Sequence, residues 1–163
     1  LSALDNVRVA CHAAMRGSLA QALLLTPGHF EREAAILRRA EEFLEVMGLA
    51  DRAEETAKNM PYGLQRRLEI ARALATGPKV LCLDEPAAGM NPVETAQLME
   101  LIRAVRDRFG VAILLIEHDM RLVMGISERI VVLDHGVTIA QGAPQAVRRD
   151  PKVVEAYLGA DHA

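Results

Sequence analysis

Apolar and polar positions follow one rhythm in the first half of the chain and another in the second. From Glu31 to Met47, apolar side chains fall at Ile36, Leu37, Ala40, Phe43, Leu44 and Met47, the spacing of one face of an α-helix. Gly48 stands where a helix C-terminus favours a left-handed residue. A second helix is predicted from Leu64 to Ala75, stopped by Gly77-Pro78. The interval from Gly17 to His29 carries mixed signals and receives no assignment.

Beyond Gly77-Pro78 short apolar runs replace the helical spacing. Val80 to Leu83 runs into Asp84-Glu85-Pro86, Val111 to Ile116 into Glu117-His118-Asp119, and Arg129 to Leu133 into Asp134-His135-Gly136. Continuous runs of this kind predict strands buried on both faces, as in parallel sheets covered by helices. Between the first two lies an amphipathic helix carrying Leu98, Leu101, Ile102, Val105 and Phe109. Asn91 as N-cap, Pro92 at the first helical position and Glu94 as capping-box partner specify its start, and Gly110 its end. His135-Gly136 suits a tight hairpin turn into Val137 to Ala140, and two short helical pieces follow, the second near Asp150-Pro151. This alternation reads as an α/β fold, in which ligands bind at the carboxyl ends of strands.

Composition narrows the class. The 163 residues are 51% hydrophobic and 25% charged, which excludes a disordered tail, a collagen-like repeat and a disulfide-stapled miniprotein. A net charge of -3 leaves no basic footprint for nucleic acid, and 3% aromatics without Trp leave no base-stacking platform. Cys11 and Cys82 lack metal-ligand spacing and are expected to be buried small hydrophobes in a reducing compartment. No apolar stretch approaches the ~20 residues of a membrane span, and no signal-peptide layout opens the sequence. These features predict a single-domain cytoplasmic protein.

Three segments carry candidate chemistry. Leu81-Cys82-Leu83-Asp84-Glu85-Pro86 is an apolar strand delivering adjacent carboxylates at its tip. One can hold Mg²⁺ and the other can deprotonate water, or both can simply be solvated acids. His118, at the tip of the next strand, can stabilise charge on a terminal phosphate, or be an ordinary surface histidine. In Met60-Pro61-Tyr62-Gly63-Leu64-Gln65-Arg66-Arg67, a Gly before a helix lets free amides approach an anion. An ordinary Pro-x-Gly turn followed by a solvated basic face is the alternative.

In this order and spacing the three segments resemble the second half of an ATP-binding cassette (ABC) ATPase. The resemblance implies a P-loop NTPase-like α/β fold with a parallel-sheet core, seen as its C-terminal part and preceded by an α-helical subdomain. Residues 1–77 would form that subdomain with the signature motif, and 78–163 the C-terminal half of the nucleotide-binding core. Met60, Pro61, Tyr62, Gly63, Leu64 and Gln65 match the signature, which would contact ATP bound to a partner subunit. Leu81 to Glu85 matches the Walker B strand, with Asp84 holding Mg²⁺ through water and Glu85 catalytic. Ala88, Gly89, Met90 and Asn91 match the D-loop, and His118 matches the catalytic switch histidine. Leu1 to Val7 looks like the segment that follows the Q-loop. The strings YGLQRRLEIARALA, LDEPAAGMNPVET and LLIEHDMRLVMGISERIVVLDHG, with the ending Val154 to Gly159, are similar to the ATP-binding subunits of branched-chain amino-acid importers.

This sequence departs from the pattern in two respects. Pro61 and Tyr62 stand where the usual signature has Ser and Gly, so phosphate contact must rest on Gly63 and the amides after it. No G-x-x-x-x-G-K-S/T loop occurs, and the only lysines, Lys58, Lys79 and Lys152, follow no Gly-rich run. The resemblance therefore implies the C-terminal part of an ATPase domain, inactive by itself. ATP and Mg²⁺ would be its cofactors, with a second ATPase subunit, paired head-to-tail, and membrane permeases as partners at the cytoplasmic face. The competing readings are an ATPase of a related system, such as lipopolysaccharide export, or a non-catalytic interaction fragment. A metal-dependent hydrolase is disfavoured because His12, His29, His118, His135 and His162 show no paired spacing.

Overall fold

Local sequence signals account for most element boundaries in the computed structural model, which describes residues 1–15 and 19–158. The unassigned Gly17–His29 interval lies partly outside the described residues, as does Gly159 in the chain's ending. Ser2 caps helix α1 (Ala3–Ala14) by accepting a hydrogen bond from the Asp5 amide, and Ala3, Val7 and Cys11 form its buried stripe. A short α2 (Leu19–Leu23) precedes α3 (Pro27–Val46), which begins at a Pro and buries Ile36, Ala40, Phe43 and Leu44. Gly48 adopts the expected left-handed φ of 66°.

Helix α4 (Tyr62–Ala75) starts before the predicted Leu64, because Pro61 with φ -53° and ψ 148° serves as its N-cap. The Leu64 and Gln65 amides both donate to the Pro61 carbonyl at 3.0 Å. Gly63 therefore lies within the first helical turn, not ahead of the helix. Strand β1 (Val80–Asp84) leads to α5 (Pro92–Phe109), where Asn91 and Glu94 form the predicted capping box and left-handed Gly110 closes the helix. Strand β2 (Ala112–Ile116), α6 (Met120–Ile126), β3 (Ile130–Asp134) and β4 (Val137–Gly142) follow. Two short helices, α7 (Pro144–Val147) and α8 (Pro151–Val153), end in a wider turn over Val154–Leu158.

Among the described residues the strands form two separate two-stranded sheets. β1 and β2 are parallel, with Val80 opposite Ala112 and Asp84 opposite Ile116. β3 instead pairs antiparallel with β4 through the predicted His135-Gly136 turn, so the third apolar run does not join the parallel pair among the described residues. The expectation of strands buried on both faces is also corrected. Leu81 and Leu83 are buried while Val80, Leu114 and Ile116 are exposed, because helices of the described region cover only one face. Cys82 alternates onto the uncovered face and is exposed, contrary to expectation, whereas Cys11 is buried as expected.

One apolar core joins α1, α3, α4, β1, α5 and β2, and it continues across the residue 77/78 position without interruption. Within it Phe43 and Phe109 stack at 5.2 Å between ring centroids, under the Arg39 guanidinium. Ile130, Val132, Val147 and Val153 form a smaller cluster beneath the β3–β4 hairpin. The larger core is what fixes the β1 and β2 tips side by side.

The cysteines give a direct check on this layering. Burial pushes the Cys11 thiol above its ordinary pKa, only partly offset by the Arg39 charge, so it is both shielded and protonated. In the folded protein a maleimide should label Cys82 rapidly and Cys11 only after denaturation, read by peptide mass. Equal labelling of both thiols would refute the assigned faces.

Candidate functional site

The site begins where the β1–β2 ladder runs one bond past its strands. The Glu85 amide donates to the Ile116 carbonyl at 2.9 Å, so Glu85 stays tied to the second strand after β1 has ended at Asp84. Its backbone then turns into the left-handed region with φ 43°. A non-Gly residue held there costs on the order of 1–3 kcal/mol, the kind of local strain that clusters at functional sites. The turn closes with the Ala88 amide donating to the Glu85 carbonyl at 3.1 Å and directs the chain toward residues 88–91.

The next strand tip supplies the facing groups. His118 Nδ1 lies 3.4 Å from Glu85 Oε1, and both side chains are open to solvent. Asp119 caps α6 by accepting from the Arg121 and Leu122 amides, which sets the direction in which the chain leaves the tip. Asp84 is exposed at the end of β1 and lines a shallow depression with Arg66 and Glu69 of α4. The structure thus brings Glu85 and His118 together, with Asp84 adjacent in sequence.

Sequence reasoning gave no role to Glu117, whose side chain is only 2% exposed. Its Oε1 accepts from the Ala87 amide at 3.0 Å and its Oε2 from the His118 amide at 3.2 Å. A signal for it existed. Ile113, Leu115 and Glu117 share one side of the strand by period-2 alternation, so the pattern aims an acid at the covered face.

The signature-like segment forms a second cluster. Met60 is buried, and its carbonyl accepts from Gln65 Nε2 at 2.7 Å. Pro61 has no N–H, and the Leu64 and Gln65 amides are spent on its carbonyl, which leaves the Tyr62 and Gly63 amides without a partner among the described residues. Tyr62 is half-exposed; Arg66 Nε donates to its hydroxyl at 2.9 Å, and the guanidinium lies 5.2 Å from the ring centroid. Arg66 also binds Glu69 at 2.7 Å, and this bond with that to Tyr62 holds its pKa above the ordinary arginine value.

This helix start packs against the Ala88–Asn91 segment. Gly89 adopts the left-handed φ of 75° that favours glycine, and it lies beside Tyr62, whose Cε1 would stand 3.6 Å, an ordinary packing distance, from a Cβ there. A Cβ on Gly63 would stand 3.7 Å from Glu94 Oε1, whose other oxygen accepts from the Asn91 amide at 2.9 Å. Pro61, Leu64, Met90 and Glu94 enclose a cavity of about 80 Å³. That volume is well short of the several hundred Å³ typical of small-molecule sites, so the cluster presents a surface and not an enclosed pocket.

Comparison with known proteins follows the same residues. The profile of the family described as "ABC transporter" matches residues 6–88, about half of the chain, and "Branched-chain amino acid ATP-binding cassette transporter" matches residues 137–163. The "High-affinity branched-chain amino acid transport ATP-binding protein LivG" of Escherichia coli (strain K12) is 48% identical over 98% of this chain and 62% of its own length. The corresponding BraF protein of Pseudomonas aeruginosa is 44% identical over the same shares. The chain therefore spans 62% of the length of these relatives. The solved structure of MJ1267, "an ATP-binding cassette of an ABC transporter", superposes with a TM-score of 0.78 at 27% identity, over 96% of this chain and 62% of that one. By sequence and by fold, this chain belongs to the ABC transporter family.

Proposed function

We propose that the chain supplies the hydrolytic strand tips and the signature helix of an ABC importer ATPase that drives uptake of branched-chain amino acids. The observation that carries this reading is the meeting of Glu85 and His118 beside Asp84 at the ends of adjacent parallel strands. The branched-chain amino-acid transport named for LivG and BraF supports the cargo. A membrane-embedded permease and a second ATPase subunit, closing head-to-tail on nucleotide, are the partners this function requires. Among the described residues no helix is long and apolar enough to cross a membrane, which fits a subunit held at the cytoplasmic face by its permease.

The residues present suit Mg²⁺ and a polyphosphate. Mg²⁺ takes one or two carboxylates and completes its shell with water and phosphate oxygens. Asp84 offers a hard, accessible carboxylate of that kind, while no cluster of three metal-ligating side chains occurs among the described residues. The Tyr62 and Gly63 amides at the start of a 14-residue helix form an anion-binding end of the type that accepts a phosphate. Bound Mg²⁺ would neutralise phosphate charge and hold the terminal phosphate for attack. No residue of 1–163 is assigned the glycine-rich-loop and lysine role.

Within that frame Glu85 takes the proton of the attacking water as a general base. His118, exposed on its other face, orients Glu85 and hydrogen-bonds a phosphate oxygen as charge develops. The proximity of Tyr62 to Gly89 sets the segment serving one nucleotide beside the segment that follows Glu85.

Variants in the assembled transporter test the assignment. Glu85→Gln keeps the shape but removes the base, so hydrolysis should fall by ~10²–10⁴-fold while ATP binding survives. Asp84→Asn should weaken Mg²⁺-dependent binding, and His118→Ala should spare binding but slow turnover. Steady-state hydrolysis measured beside nucleotide binding separates these effects; wild-type turnover in Glu85→Gln would refute the reading. The strained backbone gives an opposite sign for stability. Glu85→Gly should raise the unfolding free energy by about 1 kcal/mol in a denaturant titration while abolishing hydrolysis, because Gly adopts φ 43° without strain.

A further inference from the structure

Glu117 is a buried acid to which the hydrolytic scheme assigns no part. Burying a carboxylate is a poor way to gain stability, since an apolar residue at the same place avoids the desolvation cost. Here both oxygens are used, and on different segments. Oε1 accepts from the Ala87 amide, two residues after Glu85, and Oε2 accepts from the His118 amide. Oε2 also lies 3.9 Å from His118 Nδ1, on the ring that meets Glu85 at 3.4 Å. One side chain therefore spans the turn that carries the proposed base and the strand tip that carries the proposed histidine.

We propose that Glu117 is a positioning residue, a carboxylate clamp that holds the Glu85 turn and His118 in their reactive arrangement. The inference rests on the hydrolytic reading of the site above. Two bonds then fix the turn to β2: the Glu85 amide on the Ile116 carbonyl, and the Ala87 amide on Glu117. The first fixes the depth of Glu85 along the ladder. The second, on the far side of Pro86, prevents the left-handed Glu85 backbone from relaxing to an ordinary φ. Without the clamp the strained turn opens, and the Glu85 carboxylate leaves His118. Because Glu117 reaches neither the signature helix nor Asp84 by any hydrogen bond, nucleotide affinity is not its concern.

The test uses the assembled transporter. Glu117→Ala should lower kcat for ATP hydrolysis by about tenfold or more, the scale of a misplaced reacting group, with KM for ATP unchanged within about twofold. In the same protein the Ala87 and His118 amides should lose their slow hydrogen exchange. Glu117→Gln keeps a carbonyl for the Ala87 amide but sets an N–H against His118, so its kcat should lie between wild type and Glu117→Ala. Its Ala87 amide should stay protected and its His118 amide should not. If Glu117→Ala does not fold, the Gln variant carries the test through this split between two amides. Wild-type kcat in either variant, or a loss of rate that merely follows the fraction of folded protein, would overturn the proposal. Glu85→Gln is assayed alongside: wild-type hydrolysis there removes the reading of the site itself. Blocked hydrolysis there with unchanged kcat in the Glu117 variants removes only the clamp.

Discussion

The parallel register of β1 against β2 is the constraint on which the site depends. Each residue of Val80–Asp84 faces one of Ala112–Ile116, and the ladder continues by one bond from the Glu85 amide to the Ile116 carbonyl. A slip of one residue would turn Leu81 and Leu83 away from the core and carry Glu85 away from His118 together. Core packing and site geometry are therefore set by the same choice. The apolar stripes of α1, α3, α4 and α5, closing on Leu81 and Leu83, make that choice and keep it.

The second cluster obeys a related logic. A helix N-terminus leaves amides unpaired, and Pro61 limits which remain free by using its own carbonyl for the Leu64 and Gln65 amides. The capping box at the start of α5 does the opposite, since Asn91 and Glu94 satisfy the amides there. One helix start thus keeps free amides among the described residues, and at the neighbouring one they are satisfied. Tyr62 lies beside left-handed Gly89, near enough that a Cβ there would stand in ordinary van der Waals contact with its ring.

Features set by short-range chemistry were legible in the sequence. The α5 cap, the left-handed Gly48 and Gly110, the His135-Gly136 hairpin and the acidic strand tips all depend on residues within a few positions of one another. Non-local features were not. Apolar runs report that a strand prefers burial, yet they do not say which face is covered, which is why Cys82 and Ile116 are exposed. Nor do they say which sheet a strand joins, and among the described residues β3 pairs only with its hairpin partner β4 and stands apart from β1 and β2. Helix α4 starts two residues before Leu64 because Pro61, a turn residue by its local pattern, serves as the N-cap. Strand alternation aims Glu117 at the covered face, but its partner Ala87 lies 30 residues earlier, so the bond itself is not a local pattern.

The site geometry depends most directly on the bond that extends the ladder to Glu85. An NMR measurement of the coupling across the hydrogen bond, from the Glu85 amide nitrogen to the Ile116 carbonyl carbon, addresses it without recourse to activity. A resolved coupling, together with a Glu85 amide that exchanges as slowly as those inside β1, is the predicted result. A Glu85 amide exchanging at the rate of a free peptide, while the amides of Cys82 and Leu83 remain protected, would contradict it.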